Sequence, residues 1–167
     1  MTKEIDNMTK EIDNMDANIL CTLLAQRIPP EQFQLWGLDV HWMAPEYDTP
    51  ENRAIVEDVI ANYTTLAVAV AAAECLSKIN QAVNAYICSH YDLGTQASLQ
   101  AIYVQPTTPQ AAKDLLLTVW DWAQSVLVYY YAQKAEITAS PDPVAVTWDF
   151  SQFDATDPGV TLQSLLG

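Results

Sequence analysis

Glycine is scarce in this chain, with four residues in 167. An all-β fold built on tight turns uses more, so the scarcity points away from one. Basic residues are scarce too: seven Lys and Arg stand against 21 Asp and Glu, a formal charge of −14. A surface of that sign repels phosphate backbones, so nucleic acid is not an expected partner. The same charge keeps a sticky, self-associating chain dispersed. Cys21, Cys75 and Cys88 form no CxxC pair and are odd in number. They read as reduced thiols packed like small hydrophobes, not as a disulfide framework. The two histidines, His41 and His90, lack companions at metal-ligand spacing, so neither a metal nor a cofactor is expected.

Long apolar runs are missing as well. The longest stretch of Ala, Val, Ile and Leu alone is Leu66 to Ala73, and the richer stretch from Leu115 to Ala132 contains Asp121 and Gln124. Both fall short of the ~20 apolar residues of a membrane span, so no membrane insertion is expected. The opening MTKEIDN is acidic and does not resemble a signal peptide.

What is present is helical. Half of the residues are hydrophobic, enough for one domain with a proper core or a small domain with an appendage. The expected class is mainly α: a short N-terminal coiled coil, a long helical hairpin or bundle, and an extended C-terminal arm. Residues 1–27 form the first segment. MTKEIDN occurs twice in succession. Ile5, Met8, Ile12, Met15 and Ile19 step by three and four, the 3.5-residue seam of a coiled coil. Two clean heptads are marginal alone, so this helix sets register where other parts of the chain bring copies together. Residues 28–52 read as an irregular aromatic connector carrying Pro29, Pro30, Trp36 and Trp42, in which Leu38 to Met43 would pass as a strand.

Residues 53–137 read as the helical bundle. Asp48-Thr49-Pro50-Glu51 is a helix start, and no breaker follows until Gly94, which predicts one helix of ~38 residues and ~57 Å. Val59, Leu66, Ala73, Leu76, Val83 and Ile87 lie on its 3–4 seam, which passes through Asn62. Gly94 is the expected stop, Thr95 the cap of a short helix to Val104, and Thr108-Pro109 the start of a last helix over about 110–136. There Asp114, Thr118, Asp121 and Ser125 make one narrow polar stripe, and the rest, including Trp120 and Trp122, predicts burial on most sides. Residues 138–167 have three prolines and no basic residue. They read as an arm lying on another surface, with a short strand over 144–150 and a helical turn over 160–166.

Catalytic patterns are weak. Ser89-His90-Tyr91-Asp92 gathers the residue types of a nucleophile site, but neighbours on a helix point apart, and no GxSxG elbow or Gly-rich phosphate loop accompanies them. Asp142, Asp149, Asp154 and Asp157 lack calcium-loop spacing and read as solvated acids. Tyr129-Tyr130-Tyr131 with Trp120 and Trp122 would make a sugar platform, yet three successive tyrosines on a helix point three ways and suit core and interface packing better. The expected oligomer interface is therefore Ile5, Met8, Ile12, Met15, Ile19, Val59, Leu66, Ala73, Leu76, Val83, Ile87, Trp120 and Trp122. An assembly chaperone or adaptor is the alternative reading, and a small hydrolase the third.

The stretch YICSHYDLGTQASLQAIY (86–103), with the helix from Trp120-Asp-Trp to Tyr131 after it, resembles a region of tailed-phage tail-fibre and baseplate-associated proteins. The likeness covers about 50 residues. It implies a virion structural part, commonly trimeric, made in the host cytoplasm and docked by one end to other tail proteins. It carries over no catalytic residue. The chain is short and lacks Gly-rich β repeats, which suits a connector or fibre initiator better than a receptor-binding tip.

Overall fold

The chain divides into two compact units between Ala71 and Ala72, inside a long helix. The computed structural model describes residues 15–166, so Ile5, Met8 and Ile12 of the expected heptad seam lie outside the described residues. The mainly α class holds: helices dominate, and strand is confined to one hairpin among the described residues.

In the first unit α1 spans Ala17–Ala25. Asp16 is extended at φ −86° and ψ 122°, and its carboxylate accepts from the Asn18 and Ile19 amides at 2.7 and 3.2 Å. This N-cap corrects the expected continuous helix over 1–27: Met15 precedes the helix and cannot share a helical seam with Ile19. Both pack against the first core instead. Pro29 and Pro30 follow the helix, as expected.

The connector is more regular than its composition suggests. β1 (Phe33–Trp36) and β2 (Asp39–Trp42) pair antiparallel, with Phe33 opposite Trp42 and Trp36 opposite Asp39. Gly37 has φ +65° and, among the described residues, no non-glycine residue has positive φ, so the two-residue loop is of the II′ kind that suits twisted hairpins. Phe33 is buried while Gln34 and Trp36 are exposed, the alternation of a half-buried strand.

α2 covers Pro50–Ala61, with Thr49 accepting from the Asn52 amide at 3.1 Å as the expected cap. α3 covers Tyr63–His90. The single helix of ~38 residues is thus interrupted at Asn62 (φ −107°, ψ 11°). Its side-chain amide donates to the Asp58 carbonyl at 3.0 Å and to its carboxylate at 2.9 Å, an alternative partner that loosens the turn. Leu20, Leu24, Ile28 and Val59 are fully buried and, with Phe33 and Tyr63, form the first core. By length and composition α3 is able to cross a bilayer, which the count of unbroken aliphatic runs overlooked. Glu74 and Lys78 lie within it, and it lends Tyr63 to one core and Cys75, Ile79 and Val83 to the other.

In the second unit the rest of α3 packs with α4 (Leu93–Val104) and α5 (Gln110–Ala139). Asp92, not Thr95, caps α4, accepting from the Thr95 amide at 2.7 Å, and Gly94 lies inside its first turn. The expected Thr108 cap is also corrected: its hydroxyl donates to the Ile102 carbonyl at 2.6 Å, and α5 starts without a side-chain cap. Ala112, Leu116, Val119, Val126, Tyr130 and Ile137 face the core at steps of three, four and seven. The expectation of burial on most sides fails on the opposite face, where Leu117, Val128 and Tyr131 stand exposed.

The C-terminal segment lies on this unit's own helices. Phe150, Val160 and Leu165 enter the core, and the Trp122 indole donates to the Phe153 carbonyl at 3.1 Å. No strand forms over 144–150. A 3-10 turn at Pro143–Ala145 opens this stretch, residues 146–149 are irregular, and a second 3-10 turn follows at Ser151–Thr156. The expected terminal turn forms as α6 (Leu162–Leu166).

Candidate functional site

A cluster of titratable groups lies where α3 ends. Helical spacing puts Tyr86 and His90 on one face, and Tyr91 follows at the first residue past the helix. The C-terminal segment brings Asp154 and Asp157 against them. The His90 Nδ1 is 2.6 Å from Asp157 Oδ2, and its Nε2 is 3.4 Å from Asp154 Oδ1. The Tyr86 hydroxyl donates to Asp154 at 2.7 Å, and the Tyr91 hydroxyl donates to Asp157 Oδ1 at 2.7 Å. The Gly159 amide donates to Asp157 at 3.0 Å, and the Val160 amide to the Tyr91 hydroxyl at 3.2 Å. The Trp122 ring lies against both His90 and Tyr91, with centroids 5.1 and 5.6 Å apart.

Burial by itself would raise the Asp157 carboxyl. The Gly159 amide, the Tyr91 hydroxyl and His90 outweigh it and hold the group below the usual carboxylate range. Burial, reinforced by Asp157, pushes the Tyr91 phenol up to about 12. Burial and Asp154 raise Tyr86 in the same way. The His90–Asp157 contact resembles the orienting half of a nucleophile site, but the other half is not assembled. The Ser89 hydroxyl donates to the Tyr86 carbonyl at 2.7 Å, and the second imidazole nitrogen faces Asp154. With both nitrogens toward carboxylates, the cluster is built as a tie between a helix end and the C-terminal segment. His41 sits elsewhere, in the first unit, with its ring 4.0 Å from that of Trp36.

A cleft of about 420 Å³ is lined in part by Tyr91 and Trp122. Leu93, Gln96, Gln100 and Trp120 also line it, and none of its lining residues carries a charge. Trp120 meets the Tyr103 ring edge-on at 4.5 Å.

The residues expected at an oligomer interface are placed very differently. Val59, Val83 and Trp122 are committed to the cores of their own units. Leu66, Leu76, Ile87 and Trp120 are half-buried, and Ala73 is exposed. Sequence reasoning missed the role of Asp154 and Asp157 as partners of His90, which lies 67 residues before Asp157. It also missed the outward row of α5, whose signal was legible: Leu117, Gln124, Val128 and Tyr131 repeat at seven, four and three. No known protein family, curated protein or solved structure matches this chain.

Proposed function

We propose that the chain is a non-enzymatic structural or assembly protein that self-associates through its helices. The tail-fibre and baseplate resemblance supplies its setting: a phage virion tail part, acting as a connector or fibre initiator beside other tail proteins. The observation that carries self-association is the outward face of α5. Leu117, Val128 and Tyr131 are 41%, 59% and 60% exposed on a helix whose opposite face already fills a core. Large apolar side chains in a row on one exposed face mark an association surface more often than a solvated one. The His90 cluster supports the non-enzymatic half of the reading, because its hydrogen bonds are spent within the fold.

Light scattering on the full chain tests association directly, and a strictly monomeric chain at micromolar concentration would overturn the proposal. Mass spectrometry of purified particles distinguishes a virion part, which is retained, from an assembly chaperone or adaptor, which is not. Deleting residues 1–16 tests the heptad's share: unchanged mass and unchanged docking would remove the N-terminal segment from the interface.

A further inference from the structure

We infer that the outward face of α5 pairs antiparallel with the same face of a second copy, about a two-fold axis near residue 126. The inference rests on the self-association proposed above and names its partner surface and geometry. Leu117, Asp121, Gln124, Val128, Tyr131 and Ala135 are all exposed, and they step by four, three, four, three and four. That is the seam of a two-helix coiled coil, and it runs along one side of a 30-residue helix. The core-facing row from Ala112 to Ile137 occupies the opposite side, so the seam is free to meet another helix without disturbing the fold.

Charge decides the partner and its direction. Within the chain, and among the described residues, neither Asp121 nor Lys134 makes an ion pair. They cannot reach each other along one helix, since thirteen residues separate them by about 20 Å. In a parallel pair Asp121 would face its own copy, with like charges opposed in the seam. In an antiparallel pair centred near residue 126, Leu117 meets Ala135, Gln124 meets Val128, and Asp121 meets Tyr131. Asp121 then lies within a turn of the copy's Lys134, a flanking position from which a long side chain reaches the seam. Lys134 lies over the Tyr130 ring at 5.1 Å, on the core-facing side, so its flexible side chain has to swing off that ring to reach the copy's Asp121. Each contact occurs twice, as a self-complementary two-fold interface requires. Such an interface builds dimers or even-numbered assemblies. The trimer implied by the resemblance would need a different surface.

The test uses the full chain with Cys21→Ser and Cys88→Ser, since both native thiols are at least partly accessible. Leu117→Cys combined with Ala135→Cys should give a disulfide-linked dimer under mild oxidation. Leu117→Cys alone should not, because the two copies of residue 117 lie about 27 Å apart in the antiparallel pair. Val128→Asp, at a position 59% exposed, should leave circular dichroism unchanged and weaken association by more than about tenfold. Asp121→Lys should weaken it too, and adding Lys134→Asp should restore it. A cross-link from Leu117→Cys alone would overturn the antiparallel geometry. An oligomer that ignores Val128→Asp and yields no cross-link would overturn this interface while leaving self-association standing. A monomeric parent chain would overturn both.

Discussion

The two units solve the same problem with different polar chemistry. Each has an apolar core, and each ties chain segments together through charged side chains. In the first unit those contacts stand in water: Arg27 pairs with Asp58 at 2.5 Å with side chains 40% and 53% exposed, and Arg53 forks onto Asp48 on the surface. In the second unit the closest of them is covered, although Asp154, the other carboxylate at His90, is 58% exposed. His90 and Asp157 are 20% and 18% exposed, under Trp122 and beside Tyr91. An exposed pair gains little over its separate hydration, whereas a covered group that loses its partner keeps its desolvation cost. The first unit should therefore depend on its core and turn geometry. The second should depend on its core and its polar tie together.

The largest expected effect comes where core and tie meet. Trp122 is 4% exposed, packs against His90 and Tyr91, and donates to the Phe153 carbonyl. Trp122→Ala should cost about 3–5 kcal/mol in denaturant unfolding. It should also speed proteolysis of the C-terminal segment. Leu24→Ala, at a fully buried position of the first unit, should cost about 2–5 kcal/mol and leave that segment protected. If both substitutions loosen the C-terminal segment equally, the units are not energetically distinct.

Asp157→Asn comes next, at about 1–3 kcal/mol, because it weakens the acceptor shared by His90, Tyr91 and the Gly159 amide. The sign of its pH dependence follows from the depressed carboxyl. A carboxylate whose folded pKa lies below its unfolded value contributes stability above the unfolded value and loses it as pH falls through the folded one. The gap between parent and Asp157→Asn should therefore be full near neutrality and close in acid. Unfolding curves at several pH values measure it, and a gap that widens in acid would refute the tie as drawn.

Gly37→Ala tests turn geometry in the first unit. A Cβ at Gly37 meets nothing within 4 Å, so φ +65° alone sets the cost, about 1–2 kcal/mol. Gly37→Asn, which tolerates that region better, should recover part of it. Equal stability of all three chains would mean that the turn adapts freely.

How much of this was legible beforehand follows from the range of each interaction. The helical class, the Thr49-Pro50 start and the terminal turn over 162–166 depend on neighbours a few residues apart, and patterns of that length are visible in a sequence. The break at Asn62 and the caps at Asp16 and Asp92 are equally local, but they turn on a competition between side-chain and backbone partners that periodicity does not register. Of the hairpin, the second strand was visible as the stretch Leu38 to Met43, but its partner Phe33–Trp36 was hidden, because four residues are too short to separate alternation from chance. The His90 cluster was out of reach for another reason. Its partners lie 64 to 67 residues away, in a segment whose acids look like ordinary solvated surface. The two faces of α5 fell between these cases: the spacing was present, but only the fold decides which row meets the core.

The smallest effect is also the sharpest check on the contrast between units. Arg27→Ala removes the Asp58 pair in the first unit, a contact as short as the His90–Asp157 one. Distance alone would rank the two together. Exposure separates them: both Arg27 and Asp58 keep much of their hydration, so the loss should stay within about 1 kcal/mol and shrink further as salt is raised. The Asp157→Asn loss should survive the same salt, because a covered tie is poorly screened. Unfolding midpoints of both variants at low and high ionic strength make the comparison. If Arg27→Ala costs as much as Asp157→Asn at high salt, burial is not what distinguishes the units, and the polar tie at the end of α3 loses its special standing.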